Sequence, residues 1–252
     1  MRFGSTRHNI SALTVFFILA TVVGFFYFDF STVNLLTSIL FFYLLNIGGI
    51  WLTMHRYYSH RSFEFRNKFL KYFFTALAVM AGRGSILGWV YIHRIHHQHA
   101  DSDSDPHPPK LLGFKFLGFG HYKKLEQEKM QTFLVKDVFS KEHLFIHKYY
   151  LILIASFMLL LGAFDPELLY FLYVLPCFFV HVSQVIFNYY GHVLGYRNFE
   201  TADNSRNNLW LFPFILGEAW HNNHHHNGGS YTTKIKKSEY DPLAALIRIV
   251  RK

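Results

Sequence analysis

Residues 33–60 read VNLLTSILFFYLLNIGGIWLTMHRYYSH, an apolar run that passes without a break into a histidine pair. Up to Met54 the run is long enough to cross a bilayer, which takes about 20 mainly apolar residues. Such a helix delivers His55 and His60 to the mouth of a membrane span rather than to its middle. Residues 10–28 form another run of this kind, joined to the first by a turn at 29–32. Residues 149–164 and 167–190 form a second pair, hinged at Asp165 and Pro166. The expected fold is an all-α integral membrane protein with four transmembrane helices in two hairpins. The run at 10–28 is not expected to be a cleaved leader, because it has no small-residue cleavage site and another span follows directly.

Charge gives the expected orientation. Of the 25 Lys and Arg in the 252 residues, none lies within 8–55 or 149–196. The two short turns carry only Asp29, Asp165 and Glu167. Positively charged flanks stay on the cytoplasmic side. The turns should therefore face outward, with both termini and every histidine cluster cytoplasmic in a helical cap of residues 55–148 and 193–252. Whether the membrane is a bacterial inner membrane or the endoplasmic reticulum is left open. The net charge of +9 suits an anionic leaflet and needs no nucleic acid to explain it. An apolar stretch at 69–92 is broken by Gly82-Arg83-Gly84. A true span there would put His55 and His93 on opposite sides, so interfacial or re-entrant helices are expected. The single cysteine, Cys177, excludes disulfides and thiolate clusters. No repeat or linker divides the chain, so residues 1–252 should form a single domain.

The histidines carry the chemistry. Neutral imidazole is the commonest metal ligand, and nine of the 17 histidines fall into a spacing code. They are His55 and His60; His93, His96 and His97; a lone His192; and His221, His224 and His225. At about 100° per residue on a helix, positions i, i+3 and i+4 share a face. The two triads therefore form two patches, and Asn188 shares a face with His192. His55 and His60 stand roughly 140° apart on an ideal helix, so either the helix ends near Tyr57 or the two rings serve different ions. A four-coordinate site uses four ligands, so two metals are the simpler reading. Glu218, one turn before His221, is placed to accept a ligand's second N–H. His226 makes the last box ambiguous in register, and the HxxHH spacing favours His225.

The order HxxxxH, HxxHH, NxxxH, HxxHH resembles the membrane fatty acid desaturases, closest to the stearoyl-CoA (Δ9) group. Supporting pieces are D-P-H at 105–107, R-N-N at 206–208 and G-E-A-W-H-N-N-H-H at 217–225. The resemblance implies that the nine histidines hold two irons, with Asn188 contacting one through water. It implies O₂-dependent removal of two hydrogens from a saturated fatty acyl chain, giving a cis double bond, Δ9 for this group. It also implies an acyl tunnel running down among the helices, with Tyr43 and Ile47 at the depth of its floor. Where relatives of the acyl-CoA type carry Arg-Asp before the second box, this chain has Tyr91 and Ile92. The acyl carrier is thus open between coenzyme A, a lipid and a carrier protein. No cytochrome b5 segment is fused, so electrons are expected from a separate cytochrome b5, ferredoxin or rubredoxin.

His181 and Gln184 extend the Asn188–His192 face into the fourth span, as tunnel groups or as helix–helix hydrogen bonds. Asp105 and His107 are expected behind the ligands, and His99 there or on the surface. Residues 101–105, D-S-D-S-D, lack the Gly and terminal Glu of a calcium loop and read as a turn. His8, His121, His143 and His147 read as ordinary surface residues. The rival readings are a di-iron membrane hydroxylase or ketolase, and a non-enzymatic metal- or haem-binding membrane protein.

Overall fold

The computed structural model describes residues 4–108 and 132–252. Helix α1 (Gly4–Tyr27) precedes α2 (Thr32–Tyr43), whose start is capped by the Ser31 hydroxyl accepting from the Asn34 N–H. This helix runs straight on into a π-helix, Leu44–Ser59. Winding with i→i+5 bonds is rare and usually confined to one turn at functional sites. Here two hydroxyls support it by reaching the carbonyl five residues back: Thr53 Oγ1 to Gly48 O at 2.7 Å and Ser59 Oγ to Met54 O at 2.8 Å.

Helices α3 (Lys68–Met80) and α4 (Ile86–His99) occupy the stretch with the glycine break, where Gly82 and Gly84 take φ of 75° and 89°. Neither helix is of membrane-spanning length. The first presses its backbone against the π-helix: a Cβ on Gly49 would lie 2.7 Å from Leu77 O.

Helix α5 (Lys141–Phe164) is kinked at Tyr149, where the apolar run was expected to begin. Asp165 then caps α6 (Pro166–Val193), its carboxylate accepting from the Glu167 and Leu168 N–H groups. A π-turn at Tyr170–Val174 lies just ahead of Pro176, whose missing N–H interrupts the helical ladder. The C-terminal part holds the short apolar helix α7 (Leu209–Ala219), α8 (His221–His226) and α9 (Pro242–Val250).

The described residues are helical, with isolated bridges such as Tyr196 to Asn207 and no strands. Four helical stretches are long and apolar enough to cross a membrane: Asn9–Tyr27, Thr32–Ser59, Lys141–Phe164 and Pro166–Val193. Each contains one of the expected spans or nearly all of it. Their outer faces carry bare apolar groups such as Phe26 (83% exposed) and Phe164 (80% exposed). Surface of that kind is at home in hydrocarbon and a liability in water.

Candidate metal centre

The nine histidines come together as two groups. His55, His60, His93, His97 and His224 form one; His96, His192, His221 and His225 form the other. Helix α4 serves both, since His93 and His97 point one way and His96 the other. The π-winding resolves the i, i+5 spacing by neither of the two expected routes. The His60 N–H bonds His55 O at 3.0 Å, so residues five apart stack, and the rings lie 4.7 Å apart in the same group. His225 belongs to the second group. His226 is exposed and lies flat on Phe199, with centroids 3.7 Å apart.

Carboxylates stand behind the rings. His96 Nδ1 lies 3.0 Å from Asp105 Oδ2, His192 Nδ1 2.9 Å from Asp101 Oδ2, and His225 Nδ1 2.8 Å from Asp203 Oδ2. His55 Nδ1 lies 3.2 Å from Glu218 Oε2. Glu218 thus faces His55 and not its sequence neighbour His221, because the chain leaves helical geometry at Trp220 (φ −87°, ψ 57°). The buried Arg56 holds its other oxygen at 2.6 Å. The turn at 101–105 also supplies two of these carboxylates. It is organised by Asp105, which accepts from the Asp101 N–H at 2.8 Å and the His107 N–H at 2.9 Å. His107 stacks on His96 with centroids 4.3 Å apart, while His99 is exposed.

Asp101, Asp105 and Asp203 are placed to accept the Nδ1–H of His192, His96 and His225, and Glu218 stands against His55 Nδ1. Each of these rings thereby turns its Nε2 inward. Nε2 atoms crowd together across the site: His55 and His224 at 3.0 Å, His60 and His93 at 2.7 Å, His97 and His224 at 3.2 Å, and His192 and His221 at 3.0 Å. The Nε2 of His225 is buried with no hydrogen-bond partner among the described residues. Lone pairs facing at such distances repel unless a cation lies between them. Metal–nitrogen bonds of about 2.1 Å at right angles place neighbouring ligand atoms about 3.0 Å apart, so the residues fit metal ions.

Electrostatics agrees with that fit. Burial, with mutual repulsion, pushes His60, His93, His97, His221 and His224 well below the ordinary imidazole range. His225 falls to about 4, burial outweighing its bond to Asp203. Burial and then His96 bring His107 down to about 3. Burial works to raise Asp105 and Asp203, but the imidazoles of His96 and His225 hold both below the usual carboxylate range. The result is neutral rings against anionic carboxylates.

The third box is set by asparagines. Asn207 Oδ1 accepts from the Asn222 and Asn223 N–H groups at 3.0 and 3.2 Å, covering the open start of α8. Asn223 in turn donates to Glu239 Oε2 at 2.9 Å. Asp101, Asp203, Asn207 and Glu239 were not singled out as site residues from sequence. The alternating D-S-D-S-D and the Asn pair inside H-N-N-H-H were the available signals.

A narrow cavity opens beside both groups, lined by His93, His96, His221, Asn188, Gln184 and Trp89 among others. Gln184 also bonds Asn46 Oδ1 at 3.4 Å. His181 sits among hydrogen bonds between helices, with Thr14 Oγ1 at 2.8 Å and Gly82 O at 3.1 Å. Tyr43 lines a separate apolar groove and donates to Pro213 O at 2.5 Å, and Ile47 is packed in the core. His143 and His147 are not free surface groups: His147 is buried with Nδ1 2.6 Å from Ser85 Oγ, and His143 Nδ1 lies 2.6 Å from Val138 O. The start of α5 folds back onto the end of the π-helix and the start of α4, which composition does not reveal. His121 and the side chain of His8 lie outside the described residues.

Helices of membrane length and buried histidine groups that could hold metal ions define a class, the histidine-rich membrane metalloproteins. Comparison narrows it: the sequence model of the fatty acid desaturase family matches residues 30–248. An "sn-1 stearoyl-lipid 9-desaturase" of Anabaena variabilis is 30% identical over 227 residues, covering 88% of this chain and 83% of that protein. "Delta-9 acyl-lipid desaturase 2" of Arabidopsis thaliana is 35% identical over 202 residues, covering 73% of this chain and 62% of its own length. "Delta-9 acyl-lipid desaturase 1" of the same plant is 35% identical over 195 residues, with 71% and 60% covered. The chain belongs to the fatty acid desaturase family and is an oxidoreductase, a desaturase of membrane-bound type.

Proposed function

We propose that the protein inserts a cis double bond at carbon 9 of a saturated acyl chain carried on a membrane lipid, using two iron ions held by the nine histidines. The observation that carries this reading is the paired, buried histidine groups opening on one narrow cavity in a chain of this family. The lipid carrier is supported by the names of the relatives and by Tyr91 and Ile92, which leave no charged pair before the second box for coenzyme A. An alkyl chain offers no acid, base or electrophile. The two irons would supply the oxidising power drawn from O₂ that its C–H bonds demand. In balance, two hydrogens from the chain and two electrons with two protons from a redox partner convert O₂ to two waters.

This chain's own residues supply holding and positioning. The nine histidines would be the ligands, with Asn188 reaching one ion through water. Asp101, Asp105, Asp203 and Glu218 would fix their ring orientations, and His107 would pack behind His96. Trp51, Trp89 and Phe187 wall the cavity, which keeps water from the oxidising site and fixes which methylene pair lies nearest it. Gln184 would form the upper wall of the acyl path and His181 a deeper group beside it, while Tyr43 and Ile47 stand apart from this cavity, in a separate groove and in the core. Residues 1–252 would act as one domain: two helical hairpins in the bilayer and a cap holding the metals on the cytoplasmic side, as the charge distribution favours. Electrons would come from a separate cytochrome b5, ferredoxin or rubredoxin docking on the basic face.

The test is the fatty acid profile of a host lacking its own desaturase. Expression should give cis-9 unsaturated chains on membrane lipids, and His192→Ala should abolish them. Hydroxylated or oxidised chains in their place would transfer the assignment to a hydroxylase or ketolase.

A further inference from the structure

Glu239 stands in the irregular tail that follows α8, and it is 1% exposed. A glutamate is almost never buried so fully unless its charge is compensated. Here the compensation is five uncharged donors divided between its two oxygens. Oε1 accepts from Tyr196 Oη and from Asn198 Nδ2, both at 2.6 Å. Oε2 accepts from Asn223 Nδ2 at 2.9 Å and from the Ile235 and Lys236 N–H groups at 2.8 and 2.9 Å. The two oxygens therefore hold different parts of the chain. Tyr196 and Asn198 lie on the stretch that leaves α6 just after His192, whereas Asn223 lies on α8 between His221 and His225. Asn198 closes the bracket by donating also to Asn223 Oδ1 at 2.8 Å. With six residues, α8 is too short to hold its own winding, so its pose depends on such ties.

We infer that Glu239 is a positioning residue of the second histidine group, setting His192 against His221 and His225 through Asn198 and Asn223. The inference rests on the reading of that group as a metal site. These three rings are three of the group's four. The Nε2 atoms of His192 and His221 stand 3.0 Å apart, the spacing that one ion held by both requires. A carboxylate suits the place because it only accepts, and each of these neighbours donates to it. A carboxamide of the same shape would turn an NH₂ group toward donors on one side, and that arm of the bracket would be lost. The first group draws only His224 from α8. His55, His60, His93 and His97 come from the π-helix and α4, where none of the five donors to Glu239 lies.

The experiment reads metal, not turnover. Purified protein is dialysed against a chelator, and the iron left per chain is counted. Glu239→Gln should weaken the second group's hold about 10- to 100-fold and leave the first group's metal in place. Double variants locate the loss. Added to His225→Ala, Glu239→Gln should remove little more, because both act on one group. Added to His60→Ala, it should leave the chain nearly bare. Full retention in Glu239→Gln overturns the inference. So does a loss that adds equally to both histidine variants, since that is the mark of a general loosening of the fold. Should Glu239→Gln not accumulate in the membrane, Asn198→Ala opens the same bracket from its half-buried side. The same pattern there supports the inference, and unchanged metal overturns it. Wild type holding fewer than two metals would refute the metal reading itself, and the inference with it.

Discussion

His225 and His226 are adjacent in sequence and stand in opposite circumstances. His225 is held by Asp203 and turns a partnerless Nε2 toward three other rings, whereas His226 lies exposed on Phe199. Purified His225→Ala should therefore lose about half of its bound metal, and His226→Ala should keep it; equal losses would refute the assignment. Acid sensitivity belongs to this scale too. In the folded chain the buried rings stay neutral well below 6.5, the ordinary imidazole value that the unfolded chain recovers. The unfolded state then takes up protons that the folded state refuses, so stability is full above pH 6.5 and falls as pH drops toward about 4, where His225 titrates. Asp105 and Asp203 add to the loss only below the carboxylate reference of 3.8. The thermal midpoint in detergent should be flat above pH 6.5 and decline below it; a midpoint that rises on acidification would contradict the burial of neutral rings. The histidine boxes were legible from spacing, but their grouping was not. Each triad, expected as one patch, divides between the two groups, His96 apart from His93 and His97, and His224 apart from His221 and His225. Their carboxylate partners were not legible either, because Asp101 meets His192 across 91 positions and Glu218 meets His55 across 163.

At the scale of elements, the spans were legible because about 20 apolar residues have few other uses. The π-winding of Leu44–Ser59 was not. Ideal α-geometry turns His55 and His60 apart, and only the i→i+5 ladder, with Thr53 and Ser59 bonding backward, brings them into one group. That ladder is braced by α3, whose Leu77 carbonyl comes so close to Gly49 that no side chain fits. Gly49→Ala should cost about 1–3 kcal/mol through overpacking, read as a lower thermal midpoint, with part of the first group's metal lost. A variant as stable and as metal-rich as wild type would show that the contact does not brace the site. The same element logic explains the missed neighbours of α5. Its first turns lie outside the apolar run, yet they place His147 against Ser85 and His143 against Val138.

For the whole molecule, charge asymmetry makes a directional claim that helix packing alone does not. Lys and Arg are absent from 8–55 and 149–196, so cysteines introduced in the turn at 29–32 should react with an impermeant reagent from outside. A reporter at the C-terminus should read cytoplasmic; the reverse pattern would overturn the proposed orientation. The helices then act as a frame that brings histidines from four segments together, where two groups converge without any single segment being able to form a site. The most direct measurement of that claim is metal stoichiometry in the purified, detergent-solubilised protein. Two irons per chain are predicted from the five-histidine and four-histidine groups. About one metal per chain, or zinc or haem in place of iron, would contradict the account.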